Sequence, residues 1–227
     1  MSLPATEHRH SKLRRSVLAL LLLLLLSWGA TAAAKRNRFV AYTIVPAVGD
    51  QRGTSGPQKI QIFREGVSAE ISYVTGVARR RMMAATLGLD YDPFATPSGM
   101  EPRYHTFLIS LENTSERALI FNPSTSRIVN NSNKVSYPLD YTALYQDIAR
   151  SRHLTLKQLH QVTYDRSFDL LPGAKSRKLL VFEGWRDFKW ESFTLGLTLE
   201  VDGLSVVALS VPFRKEFLET KKKGRGK

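Results

Sequence analysis

Two groups of side chains in this sequence have types and spacings that could do chemistry. The more distinctive group lies in the segment EGWRDFKWE, where Glu183 and Asp187 stand beside Trp185 and Trp190. Aromatic rings that stack on sugars, next to carboxylates for acid-base work, are typical of a carbohydrate-binding or glycoside-cleaving groove. The alternative is an ordinary loop between two strands, in which the tryptophans cover the edge of a β-sandwich.

The second group is a set of possible metal ligands, Met82, Met83, Met100 and His105. Thioether sulfur and imidazole nitrogen suit copper, because soft ligands select Cu(I). The adjacent methionines point to different sides of a helix, however, and the histidine begins a strand. The alternative interpretation is therefore core packing.

Other polar pairs are too small to define a site. Asp90 and Asp92 could contact calcium, but two carboxylates supply too few oxygen ligands, and a capped turn before Pro93 explains them as well. His153 and His160 lie seven residues apart without a third clustered ligand. These pairs predict no metal centre.

Motifs that would identify an enzyme do not occur in a supported context. The chain has no G-x-S-x-G, no H-E-x-x-H, no phosphate-binding loop and no dinucleotide fingerprint. It also contains no cysteine, which excludes disulfides, thiolate metal sites, a cysteine nucleophile and a lipidated cysteine anchor. The sequence thus predicts a protein that is not an enzyme and needs no cofactor.

The first 34 residues predict export. Basic residues precede the apolar run from Val17 to Leu26, and SWGATAAA follows it. A charged start, an apolar core and a small-residue end are the signature of a secretory signal peptide, here cleaved after Ala32 or Ala34. The alternative is an uncleaved helix over residues 17–34 that anchors the chain in the inner membrane. The expected location is otherwise periplasmic or extracellular.

Positive charge is the main feature of the composition. The formal net charge is +13, and five of the last seven residues, KKKGRGK, are cationic. Such a run cannot bury apolar surface, so residues 219–227 are predicted to form a disordered basic tail. It could contact an anionic membrane surface or an acidic envelope polymer, or it could simply add solubility. Nothing predicts a specific nucleic acid partner.

Hydrophobic alternation predicts a mostly β body. A strand is expected over residues 38–45, and a hairpin is expected to turn at Glu65-Gly66. Residues 78–87 predict a helix with Val77, Ala84 and Leu87 on one face. KLLVF, residues 178–182, is apolar on both faces, as in a central strand.

The domain organisation follows from these elements. Residues 35–102 are expected to form a hairpin, a short helix and a loop packed on a β-sandwich of residues 103–218. Within that sandwich, residues 142–162 change to a helical period, and Thr155 with Gln158 forms a capping box.

The last hairpin allows a prediction of register. If Asp202-Gly203 were a two-residue turn, the apolar set of the second strand would lie on the wrong face. A type I turn with Gly203 in a left-handed bulge position corrects this and pairs Leu197 with Val207. This geometry requires a positive φ at the glycine.

Residues 104–213 carry the family resemblance. The segments FLISLENTS, VSYPLDYT, LLPGAKSRKLLVF and FTLGLTLEVDGLSVVALSVPF follow one another in this order. This pattern resembles the telokin-like, immunoglobulin-type modules of bacterial exported proteins. The resemblance implies an immunoglobulin-like antiparallel β-sandwich with short helical insertions behind an N-terminal signal helix, and it implies no functional residue.

The predicted function is that of an exported, non-enzymatic interaction module that binds a protein or an acidic envelope polymer. One alternative is a carbohydrate-binding or carbohydrate-active protein that uses residues 185–191. A further alternative is a copper-handling periplasmic protein.

Overall fold

The computed structural model describes residues 42–47, 59–97, 100–149, 154–185, 189–203 and 205–218. These residues form two antiparallel β-sheets with a few short helices, which confirms the predicted mainly β sandwich. The predicted signal peptide, the cleavage sites at Ala32 and Ala34, and the basic tail lie outside the described residues. No helix of the described part is long and apolar enough to cross a membrane.

The first sheet is built around the long C-terminal hairpin. Its strands are β1 (Tyr42–Pro46), β5 (Leu119–Phe121), β6 (Arg127–Asn130), β7 (Val135–Ser136), β8 (Phe168–Leu170), β10 (Ser192–Val201) and β11 (Ser205–Phe217). On one side of the hairpin, β1 pairs with β11. On the other side, β5 and β6 pair with successive parts of β10, and β8 and β7 follow outside them.

The second sheet has the order β2 (Lys59–Arg64), β3 (Val67–Tyr73), β4 (Tyr104–Asn113) and β9 (Lys175–Glu183). The predicted hairpin between β2 and β3 is confirmed, since its two-residue turn has φ of 48° at Glu65 and 78° at Gly66. Glycine is also required there sterically, because a Cβ on Gly66 would lie 2.5 Å from Cβ of Ser115.

Alternating apolar side chains from both sheets fill the space between them. Phe107, Ile109 and Leu111 of β4 are fully buried, as the two-residue period of a strand requires. The Phe107 ring lies 5.8 Å from that of Phe193 and 5.2 Å from that of Phe213. These contacts join the second sheet to the C-terminal hairpin.

The helices cover the outer face of the second sheet. They are α1 (Gly76–Leu87), α2 (Tyr141–Leu144), which continues as a π-helical turn (Tyr145–Ala149), and α3 (Leu156–Val162). Met83, Leu144 and Leu159 belong to a second apolar core on this face. The predicted capping box begins α3: the Gln158 amide donates to Thr155 Oγ1 over 3.2 Å, and the Thr155 amide donates to Gln158 Oε1 over 2.8 Å.

The prediction of a central strand at residues 178–182 is wrong. β9 is the last strand of its sheet, yet both of its faces are buried. Leu180 and Phe182 belong to the core between the sheets, whereas Leu179 and Val181 belong to the core under the helices. The helical insertion thus covers the outer face of β9, in the way that a layer of helices covers a central strand.

α1 forms almost where it was predicted, but the predicted buried face is wrong. The helix ends at Gly88, whose left-handed φ of 69° closes the last turn. Val77 is 65 % exposed, whereas Arg79 and Met83 are buried. The spacing of the apolar residues predicted the wrong face because the buried face of α1 contains a charged side chain, Arg79.

The first strands are part of the sheets themselves. β1 pairs with the end of β11 in the first sheet, and β2 and β3 form half of the second sheet. Residues 35–102 had been expected to pack on a sandwich formed by residues 103–218. Long-range pairing, which residue spacing does not encode, places these strands in the sandwich instead.

The register of the last hairpin differs from the prediction by two residues. Leu199, not Leu197, pairs with Val207, and Leu197 pairs with Leu209. The positive φ at Gly203 is confirmed at 68°, but Asp202 also has a positive φ of 50°, so the predicted type I turn is wrong. A shift of two residues keeps every apolar side chain on its predicted face.

Substituting Gly203 tests the left-handed turn. Gly203→Val should lower the free energy of unfolding by at least about 1 kcal/mol, because a β-branched residue disfavours positive φ. No atom of the described residues lies within 4 Å of a Cβ built on Gly203, so the expected cost comes from the backbone conformation. Gly203→Asn is the control and should lose less, since asparagine tolerates this conformation. Equal thermal unfolding curves for the valine variant and the wild type would contradict the prediction.

Candidate functional site

The tryptophans predicted to line a groove are buried. Trp185 is 8 % exposed and Trp190 is 1 % exposed, and their rings pack 5.3 Å apart. His105 lies 4.9 Å and 5.1 Å from these two rings, and Phe193 completes the cluster. The indoles are therefore part of the core between the sheets and present no stacking surface.

Glu183, one of the carboxylates predicted to act beside the tryptophans, does not join them. Glu183 is exposed at the end of β9, where its backbone oxygen accepts a hydrogen bond from Ser136 Oγ. Asp187 lies outside the described residues. The described residues therefore do not bring together the aromatic and acidic groups that a glycan site would need.

Lys215 is the functional-looking residue that sequence reasoning missed. Its ammonium lies 3.8 Å from the centre of the Trp190 ring and 4.4 Å from that of Tyr42, with its side chain only 3 % exposed. The Glu101 carboxylate pairs with it at 3.3 Å and accepts a hydrogen bond from the Tyr42 hydroxyl. Aromatic faces and a carboxylate replace the water that the charge loses on burial.

The signal for this arrangement was present in the strand pattern. Lys215 follows Val211 and Phe213 at two-residue spacing, on the inward face of β11. A lysine at an inward position needs a partner, because an unpaired buried charge is costly. Glu101 lies in a loop before β4, so no local pattern identifies it.

His105 is neutral at physiological pH. Burial, helped by the positive charge of Lys215, lowers the pKa of His105 to about 3. Its Nδ1 lies 3.3 Å from the Tyr73 hydroxyl. Among the described residues, its Nε2 and the indole nitrogens of Trp185 and Trp190 have no hydrogen-bond partner.

The histidine should make stability depend on pH. In the unfolded chain the imidazole takes up a proton below about pH 6.5, whereas the folded protein resists this until about pH 3. Acid therefore favours the unfolded state, and the stabilisation present above pH 6.5 is lost as the pH falls. We expect His105 to reduce the free energy of unfolding by about 2 kcal/mol between pH 7 and pH 5.

Urea unfolding of the wild type and of His105→Gln at pH 7 and pH 5 measures how much His105 contributes to this loss of stability. The variant can be less stable overall, but it should lose about 2 kcal/mol less than the wild type over this interval. The same loss in both proteins would contradict the assignment.

The possible copper ligands are not brought together. Met83 is fully buried in the core under the helices, on the other face of the sheet from His105. Met82 is partly buried, and Met100 is 59 % exposed. The described residues also contain no cluster of three or more histidine, cysteine or acidic groups that could hold a metal.

The remaining polar pairs have structural partners. Asp92, considered above as a calcium ligand or a turn cap, accepts from the Phe94 amide and pairs with Arg79 at 2.9 Å. The turn interpretation is thus confirmed. The carbonyl of Asp90 accepts from Arg80 Nε. His160 Nδ1 lies 2.7 Å from Asp165, and His153 lies outside the described residues.

A large cleft opens on the helical side of the molecule. This lateral cleft has a volume of about 1010 Å³ and lies between β1, the end of β3, α1 and the end of α3. Its apolar lining includes Ile44, Val74, Ala78, Met82, Leu108 and Val162. The size is at the upper end of the range of about 300–1,000 Å³ that is usual for small-molecule sites.

Small side chains on α1 keep the lateral cleft open. Ala78, Met82 and Ala85 lie on one face of α1, at spacings of four and three residues, and all three line the cleft. Val77 and Leu218, which also line it, are 65 % and 52 % exposed. The alanines on this face of α1 were the sequence signal for this site, but Met82 had been considered only as a copper ligand or a core residue.

Comparisons with known proteins supply no functional identification. No protein-family model matches the chain, and no curated protein matches it. Among solved structures, it is similar to a DUF4426 family protein from Pseudomonas aeruginosa, at 10 % identity and a TM-score of 0.37, over 71 % of this chain and 97 % of that chain. The resemblance to telokin-like modules stays a prediction.

Proposed function

We propose that this protein is an exported, non-catalytic binding protein and that the lateral cleft holds its ligand. The observation that carries the proposal is an open cleft of about 1010 Å³ with a largely apolar lining. A concave apolar site with few polar groups is the usual form of a small-molecule site. Ile44 of β1, Leu108 of β4 and Val74, which follows β3, provide a surface that water solvates poorly.

Export is proposed from the leader sequence, and the basic tail would keep the protein close to anionic envelope surfaces. A folded domain without cysteine needs its own core, which two apolar clusters provide. Fractionation of cells that express the full chain tests this part. Recovery of only the full-length protein in the cytoplasm would contradict it.

Binding is tested with N-phenyl-1-naphthylamine, an uncharged dye whose fluorescence rises in apolar surroundings. The purified protein should bind it saturably, and Ala85→Phe should weaken binding at least tenfold by filling the cleft. Ala84→Phe is the matched control, because Ala84 is exposed on the same helix and does not line the cleft. No saturable binding, or equal affinities for both variants, would overturn the proposal.

A further inference from the structure

The ligand class can be inferred from the charges around the lateral cleft. We infer that the cleft binds a single acyl chain with an anionic head group, and that the arginines lining the cleft bind that head group. This inference rests on the proposed binding function and adds the chemistry of the ligand to it.

The apolar part of the lining favours a long, flexible hydrocarbon ligand. Val45 lines the cleft from β1 and Val74 lines it just after β3, whereas Met82 lines it from α1 and Val162 from the end of α3. These side chains offer dispersion contacts and almost no hydrogen-bond donors. A hydrocarbon chain can cover this apolar part of the lining with dispersion contacts.

Four charged side chains also line the cleft, and their pairing is unequal. The ammonium of Lys59 is already paired with Glu70 at 2.9 Å. Arg81 and Arg177 make no ion pair with any residue that the structure describes. Glu216 contributes one carboxylate to the lining. Counting only ion pairs among the described residues, the unpaired positive charge of the lining exceeds its unpaired negative charge.

The position of the negative charge indicates where the head group lies. Glu216 is on β11 beside β1, so it repels an anion from that side of the cleft. Arg81 belongs to α1 and Arg177 to β9, on the other elements of the lining. A guanidinium donates two parallel hydrogen bonds to a carboxylate or a phosphate. A neutral or cationic head group does not offer the same pair of charged acceptors.

Arg81 also differs from the neighbouring arginines of its helix. Arg79 is buried and paired with Asp92, and Arg80 donates to the carbonyl of Asp90. Of these three residues, Arg81 is the one that lines the lateral cleft. Arg80→Gln therefore provides a matched control for Arg81→Gln.

Competition against N-phenyl-1-naphthylamine tests the inference with dodecanoate, dodecyl phosphate and dodecanol, which share one chain length. The two anions should displace the dye at concentrations at least tenfold lower than the alcohol. The anion that competes better identifies the head group as carboxylate or phosphate. Arg81→Gln and Arg177→Gln should each weaken the anions about threefold to tenfold and leave the alcohol unchanged, whereas Arg80→Gln should change neither.

Equal displacement by anions and alcohol, or unchanged anion affinity in both arginine variants, would overturn this inference while leaving the proposed cleft function intact. Failure of the dye itself to bind would instead overturn the proposed function. The two failures are therefore distinguishable in one set of titrations.

Discussion

Replacing Arg79 with methionine is expected to lower the free energy of unfolding by about 3–5 kcal/mol, because it leaves a buried carboxylate without its counterion. The Arg79 and Asp92 side chains are 8 % and 6 % exposed. Arg79 Nη1 also donates to Val74 O over 2.9 Å and to Thr106 Oγ1 over 2.8 Å. The arginine thus joins the start of α1 to β4 and to the loop that contains Asp92.

A second substitution separates lost charge pairing from lost packing. In the double variant Arg79→Met/Asp92→Asn, the side chain at position 92 would be uncharged, yet its amide oxygen could still accept from the Phe94 amide. The double variant should therefore be more stable than Arg79→Met by about 2 kcal/mol. Arg81→Met, on the exposed side of the same helix, should change stability by less than about 0.5 kcal/mol. Urea unfolding measures all of them, and a double variant less stable than Arg79→Met would contradict the explanation.

A loss of about 3–5 kcal/mol is also expected for Lys215→Met. Glu101, whose side chain is 9 % exposed, would keep its hydrogen bond from Tyr42 but lose the ammonium that neutralises it. Methionine has a similar length and still packs on Trp190, so lost charge pairing dominates the effect. Because Lys215 lies where β1, β11 and the loop before β4 meet, its loss should loosen the edge of the first sheet.

The controls for Lys215 follow the same logic on a different part of the fold. Lys215→Met/Glu101→Gln should recover part of the stability that Lys215→Met loses, because no buried charge remains and the amide oxygen can accept from Tyr42. Arg214→Met changes an exposed neighbour on β11 and should have little effect. If Lys215→Met unfolds at the same urea concentration as Arg214→Met, the buried pair does not stabilise the fold.

These two ion pairs lie beside the lateral cleft without belonging to its lining. Arg79 and Asp92 line a smaller neighbouring cleft of about 350 Å³, which shares Ile44, Tyr73 and Val74 with the lateral cleft. Loss of either pair could therefore distort the lateral cleft indirectly. For this reason the cleft-filling and arginine-to-glutamine variants, rather than the stability variants, test ligand binding.

The candidate site was poorly predictable from the chain alone. Trp185 and Trp190 had the right chemistry for sugar stacking, but their burial depends on β4 and β10 packing across the sandwich. Conversely, Ala78 and Ala85 have no reactive chemistry, and they matter because of the space they leave. A motif search finds reactive groups, whereas a cleft is defined by side chains that are small.

The sequence by itself determined the local structure and the fold class. Glu65-Gly66, Gly88 and the Thr155 capping box are correct because turn and cap geometry depends on residues only a few positions apart. Strand alternation likewise identified the buried faces, although a two-residue error in the last hairpin left those faces unchanged.

Only the tertiary structure decided which elements cover each face and which charges meet. Tyr42, Glu101, Trp190 and Lys215 come together from four distant parts of the chain. The two-residue period of β11 places Lys215 inward, but it carries no information about the carboxylate opposite. Strand pairing, the covering of each face and the shape of the cleft depend on contacts between elements far apart in sequence. Hydrophobic periodicity shows only which face of a single element is apolar.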